Sequence, residues 1–288
     1  MGRSTFNLIR QLFRGASPSP IKRDSAPEPK LSHKPKPDIE LPPRALTPDE
    51  PLAFGYKINW FAVKTSDGQA VAGALALETI RPCNWCVGME CAEQSDKRWV
   101  FVSPCCEGWT FAISSTLPHP VDADRNDHTG VHRKSGARFR QVLAALMDVS
   151  HEVQFFGSYR VADYAGWARA IDGKIIRVFS WLGESGEVLA NEGAQTQEEA
   201  TLNLVDPGNR TPADACDYLW ERDEQLSDEP RLAGEAAPDD PDAPVRKNRL
   251  HAFPGEEDVL LLAAAWGPNP RMLSGQPALG LIGQLPPV

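Results

Sequence analysis

GARFRQVLAALMDVSHEVQFFGSYRVADYAGWARAIDGKIIRVFSWLG, Gly136 to Gly183, contains a helix signal, a strand signal and a hairpin signal in direct succession. Phe139, Val142, Leu143, Leu146 and Met147 recur at i, i+3, i+4, i+7 and i+8, the stripe of an amphipathic helix. EVQFFGSYRV then reads as a strand. Asp172-Gly173 separates two alternating runs, and a type I′ turn needs positive φ at both central positions. A two-residue loop there sets Ile171 opposite Lys174. Trp167 then faces Val178, Arg169 faces Ile176 and Tyr164 faces Trp181.

Toward the N-terminus the same kind of reading continues. FGYKINWFAVKT alternates Tyr56, Ile58, Trp60 and Ala62 on one side of a strand. SDGQAVAGALALE offers Ser66 or Asp67 as N-cap for a helix carrying Val71, Ala74 and Leu75. RWVFVS and WTFAIS, joined by PCCEG, form a hairpin. The order β-α-β-β-α-β predicts an α+β fold: a ferredoxin-like antiparallel sheet with both helices on one face, extended by the Asp172-Gly173 hairpin.

Toward the C-terminus, TQEE supplies a capping box with Thr196 as N-cap and Glu199 at N3, opening a helix that ends near Leu204. PGEEDVLLLAAAWGPNP places Glu256, Glu257 and Asp258 in a first turn and Val259, Leu262, Ala263 and Trp266 on one stripe. Gly267-Pro268 stops this helix, which packs on the core. The domain expectation is a Pro-rich arm over 1–53, a core over 54–204, an acidic disordered insertion over 205–248, and a C-terminal helix and tail over 249–288. The insertion is expected to hold one helical turn around Ala213 to Trp220. The arm begins with a short amphipathic stretch, Phe6, Leu8, Ile9, Leu12 and Phe13, which leaves weak contact with a membrane surface open.

A formal net charge of −9 argues against general nucleic-acid binding, which depends on clustered Lys and Arg, and favours a basic, small or apolar partner. No apolar run is long enough for a transmembrane helix, and the start lacks the apolar region of a secretory signal. Without an export signal, the unevenly spaced cysteines do not read as a disulfide framework, so a reducing cytoplasm is expected.

Five cysteines fall in one stretch: Cys83, Cys86, Cys91, Cys105 and Cys106. Read as a loop before the strand at Trp99, the first group lies at the opposite end of that strand from Cys105-Cys106, too far to share a metal. A zinc site from Cys83, Cys86 and Cys91 with a histidine among His119, His128 and His132 is the metal alternative, and a reactive thiol is the catalytic one. No Cys directly precedes an expected helix, so none gains a helix N-terminus to lower its pKa. Glu184 and Glu187 sit in a Gly-containing turn that exposes them. No nucleophile elbow, P-loop, dinucleotide fingerprint or zinc-protease motif occurs, and no catalytic residue, metal or cofactor is assigned. What is frequent near turns is Trp and Tyr. Trp85, Trp109, Tyr159, Arg160, Tyr164 and Glu184 are the expected partner-binding residues.

GYKINWFAVKT, NWCVG, VFVSPCCEGWTFAI, FGSYRVADYAGWARAIDGKIIRVFSWLGESGE and PGEEDVLLLAAAW together resemble a group of bacterial cytoplasmic proteins that includes immunity proteins of contact-dependent and type VI secretion toxins. The resemblance spans Phe54 to Leu204 and Glu256 to Pro270. It implies a non-catalytic module that neutralises a cognate toxin by binding it, and the acidic balance suits a basic toxin domain. An adaptor tethered through the N-terminal arm is a further alternative.

Overall fold

The computed structural model describes residues 40–122, 131–228 and 251–287. Among the described residues nine strands form one sheet: β1 (Asn59–Val63), β2 (Glu78–Cys83), β3 (Trp99–Val102), β4 (Thr110–Ser114), β5 (Glu152–Tyr159), β6 (Tyr164–Ile171), β7 (Lys174–Leu182), β8 (Glu187–Glu192) and β9 (Gly280–Gln284). Their spatial order is β2-β9-β3-β4-β1-β5-β6-β7-β8. Each neighbouring pair is antiparallel.

The helices are α1 (Gly68–Ala74), α2 (Trp85–Ala92), α3 (Val131–Met147), α4 (Gln197–Thr201), α5 (Pro212–Asp228) and α6 (Glu256–Trp266). Val71 of α1, its C-cap Leu75, and Phe139, Leu143 and Leu146 of α3 pack against Phe61, Val63, Val153 and Phe155 on one face of the sheet. The other face buries Trp60, Phe111, Phe156, Trp167 and Trp181 beneath α2, α5 and α6. Alternation along each strand therefore divides one sheet between two cores.

The fold is thus α+β and antiparallel, as expected, but larger. The strands read from the sequence lie in the order β3-β4-β1-β5, with β6 and β7 added on one side. β2, β8 and β9 were not anticipated, and helices cover both faces. β2 hides because Thr79 has positive φ, a register shift interrupts its pairing and Pro82 lies within it. β9 hides because two of its five residues are glycine. A methyl on Gly280 would overlap the Val102 carbonyl oxygen, so close strand approach requires glycine there.

The β6–β7 hairpin also corrects its expected register. Ile171 does face Lys174, but Ala170 pairs Ile175 and Arg169 pairs Arg177, leaving Ile176 as an extra residue. Trp167 consequently faces Phe179, and Tyr164 faces Leu182. The bulge moves Arg177 to the face opposite Ile175, where it is almost wholly buried. Its Nε donates to Glu199 Oε1 at 3.0 Å, and its NH1 donates to Asn191 Oδ1 at 2.8 Å and the Gly193 carbonyl at 3.1 Å. Glu199 also accepts from Trp167 Nε1 at 2.9 Å and from the Thr196 N–H at 2.8 Å, which closes the expected capping box. One carboxylate thus caps α4 and neutralises a buried guanidinium.

Two expected boundaries move. The helical turn expected around Ala213 to Trp220 is present but belongs to a longer helix, α5, over Pro212–Asp228, because Ala215, Leu219 and Leu226 make a narrow buried stripe within an acidic sequence. The core begins before residue 54. Ala45 is buried, and Asp49 accepts from the Trp85 and Cys86 N–H groups at 2.6 and 2.9 Å, capping α2 together with Asn84. The amphipathic start at 6–13 lies outside the described residues. Among the described residues no helix is long and apolar enough to cross a membrane.

Candidate protein-binding surface

At the end of the sheet where β5 runs into β6 and β7 into β8, the chain makes two adjoining turns. The Gly183 N–H donates to the Asp163 carbonyl at 2.9 Å, and the Glu184 N–H donates to the Ala162 carbonyl at 3.0 Å. A methyl on Gly183 would overlap the Asp163 carboxylate, so glycine sets how closely the turns meet. The segment preceding β1 and the first turn of α6 reach the same end, because Glu256 contacts residues 57, 158 and 160.

Arg160 is held there by its partners. Its Nε and NH2 donate to Glu256 Oε2 at 3.0 and 2.7 Å, and its guanidinium lies 5.9 Å from the Tyr56 ring centroid. Glu256 Oε1 accepts from the Lys57 N–H and from Ser158 Oγ, both at 2.9 Å. Burial works to raise the Glu256 carboxyl. Hydrogen bonds from Lys57, Arg160 and Ser158 outweigh it and hold the group below its ordinary value. Arg271 extends the array, with NH2 donating to Glu257 Oε1 at 2.8 Å and NH1 to Tyr56 Oη at 3.1 Å. Around these fixed charges Tyr56, Tyr159 and Val161 are 46%, 48% and 77% exposed.

The expected partner-binding residues divide into two sets. Tyr159, Arg160 and Glu184 meet at this end, and all three are exposed. Trp85, Trp109 and Tyr164 are buried and belong to the core. Trp85 opens α2 and packs against Phe54 and Phe101. Trp109 lies beneath Lys64, whose Nζ is 5.4 Å from the ring centroid. Tyr164 lies over Gly166 beside Gly157, with the His119 ring 5.4 Å away.

Tyr56, Val161 and Arg271 were missed. The expected alternation puts Tyr56 on the same side of a strand as Ile58, Trp60 and Ala62, but β1 begins only at Asn59. The positive φ of Lys57 breaks the alternation just before β1 and leaves Tyr56 at the surface.

The cysteine geometry is also corrected. Cys86 and Cys91 lie on α2, not in a loop, and Cys83 ends β2. Cys83 pairs with Gly280, whose strand runs beside Val102, so Cys83 shares an end of the sheet with Cys105-Cys106. His119 follows β4 at the other end, where Ser114 pairs with Asn59. The expected positions are therefore exchanged. His128 lies outside the described residues, as does the side chain of His132. Among the described residues no three His, Cys, Asp or Glu side chains are placed to share a metal.

Cys86 does lie at a helix N-terminus, contrary to expectation. Burial, followed by the Glu90 charge and its hydrogen bond, raises its thiol pKa. Burial foremost, then neighbouring Cys91 and Asp49, pushes Cys83 up to about 12, and burial pushes Cys106 to about 11.

Comparison of the chain with protein-family models, curated proteins and solved structures finds no match.

Proposed function

We propose that the protein is a non-catalytic binding module that grips a protein partner with the turn end of its sheet. The carrying observation is the exposed group of Tyr56, Tyr159, Val161 and Arg160, with Arg160 fixed by Glu256 and Tyr56. Aromatic residues and Arg dominate interface energies, and side chains already held in place lose less entropy on docking. The raised thiols favour this reading over a thiol-dependent enzyme.

With the resemblance to immunity proteins, the partner is a secreted toxin domain whose gene lies beside that of this chain, and binding blocks its action. The chain's net charge of −9 steers a basic partner toward it. The scaffold in this reading is a ferredoxin-like βαββαβ unit, β3-β4-β1-β5 with α1 and α3, enlarged at both sheet edges.

The test is calorimetric titration of the product of the adjacent gene into the wild-type protein and its Tyr56→Ala, Tyr159→Ala and Arg160→Ala variants. Each variant at a true anchor should weaken binding by about 2 kcal/mol or more. Affinity losses that only track losses of melting temperature would place the interface elsewhere.

A further inference from the structure

Two helix faces on opposite sides of the sheet carry charges that have no ion-pair partner among the described residues. On α5, Asp217, Glu221 and Glu224 are exposed at i, i+4 and i+7. Trp220, 43% exposed, stands among them, with its Nε1 donating to the Gly186 carbonyl at 3.3 Å. On α3, Lys134 and Gln141 are exposed and Arg138 is half-buried, at the same i, i+4 and i+7 spacing. A cavity of about 230 Å³ opens beside them, lined by Lys134, Ala137, Arg138, Gln141 and Pro287.

We propose that the outer face of α5 on one copy of this chain docks on the outer face of α3 on a second copy. Laid side by side in parallel, the helices bring Lys134, Arg138 and Gln141 level with Asp217, Glu221 and Glu224. The match extends over two helical turns, about 11 Å. Ala137 permits close approach at the middle of the α3 face, and the open depression there meets the exposed part of the Trp220 ring, which Phe253 and the Gly186 carbonyl hold in place from its own chain. Arg138 and Trp220 are of the residue types on which interface energy concentrates.

The geometry fixes the character of the association. The charge pairs stay near solvent, so each contributes little and salt weakens it. Because α3 and α5 cover opposite faces, the contact joins unlike surfaces and leaves each end open to another copy. Growth is opposed by the net charge of −9 that every added chain brings. The product is a weak, salt-sensitive series of short oligomers, independent of any partner held at the turn end.

The test is sedimentation velocity on the full chain over a wide concentration range, at low ionic strength and at ~0.5 M salt, where the screening length is about 4 Å. The average mass should climb with concentration at low salt and fall toward one chain at high salt. Lys134→Glu/Arg138→Glu and Glu221→Lys/Glu224→Lys should each stay a single chain, while an equal mixture of the two should associate again. If reversal lowers the melting temperature of either, Glu221→Gln/Glu224→Gln replaces it and should reduce association. A wild-type protein that stays monomeric at every concentration in low salt overturns the proposal. So does association that the reversals leave unchanged, or a mixture that fails to recover it.

Discussion

Replacing Glu199 with Ala removes the partner of a guanidinium that has almost no contact with solvent. Arg177 and Glu199 side chains are 2% and 1% exposed, and their N–O distance is 3.0 Å. Breaking a buried pair from one side costs about 3–5 kcal/mol, because the remaining charge stays desolvated. Arg177 keeps Asn191 and three backbone carbonyls, which places the electrostatic loss toward the lower end. Trp167 Nε1 and the Thr196 N–H also lose their acceptor, adding about 1 kcal/mol each. The expected total is about 5 kcal/mol, or a fall in melting temperature of roughly 10–20 °C at this chain length. Urea unfolding followed by tryptophan fluorescence measures it. Arg177→Met combined with Glu199→Leu should recover only the part of the loss that comes from the uncompensated charge, since apolar replacement of a whole buried pair is often near neutral, while Trp167 Nε1 and the Thr196 N–H stay without their acceptor. A Glu199→Ala loss below about 1.5 kcal/mol, or a double variant no better than the single one, would refute the assignment of Arg177 as a buried cation dependent on Glu199.

Gly193→Ala should cost about 2 kcal/mol or more, because Gly193 has φ +80° and an added methyl would overlap the Ile176 carbonyl at the bulge; a melting temperature equal to wild type would place the bulge wrongly. Glu152 and Glu256 are held below the ordinary carboxylate value by their hydrogen bonds to Gln154 and Arg169, and to Lys57, Arg160 and Ser158, against the opposing effect of burial. Their stabilisation should be complete above about pH 4.3 and disappear as pH falls through the lower folded values. Urea midpoints across that range should fall less steeply for Arg160→Ala and Arg169→Ala than for wild type, and parallel curves would count against the array. For Cys83 and Cys106 the sign is opposite. Their folded pKa values of about 12 and 11 lie above the unfolded thiol value, so stability should decline above about pH 8.5, and alkylation of these two at neutral pH should require unfolding. Mass spectrometry that finds Cys83 alkylated in the native protein would contradict the burial.

What the sequence disclosed depended on whether a signal was local. The Thr196–Glu199 capping box, the α6 stripe ending at Gly267 and the Asp172-Gly173 turn are short-range patterns, and each is present. The bulge at Ile176 is not a local signal. It accompanies the turning of Arg177 toward Glu199, 22 residues away, and no alternation within KIIRVFS records that contact. The same applies to the length of α5, of which only a turn around Ala213 to Trp220 is legible, because its exposed face is so acidic that three buried residues do not stand out in its composition.

The candidate surface was half legible for a related reason. Sequence marks Trp and Tyr near turns, but whether such a side chain lies beneath the sheet or at its end depends on layers whose members are distant in the chain. Trp85 shows the point. Read as part of a loop, it was a free aromatic. Once Asn84 and Asp49 cap α2, the helix is carried onto β3 so closely that a methyl on Gly88 would overlap the Phe101 ring, and the Trp85 ring lies 5.2 Å from that of Phe101. The same helix reverses the cysteine geometry, because β2 and α2 occupy the chain before β3 and place Cys83 at the sheet end of Cys105-Cys106. Arg160 and Tyr159 escape burial because Glu256, at the start of a helix nearly a hundred residues later, fixes the β5–β6 turn from its side and leaves its outer surface to solvent.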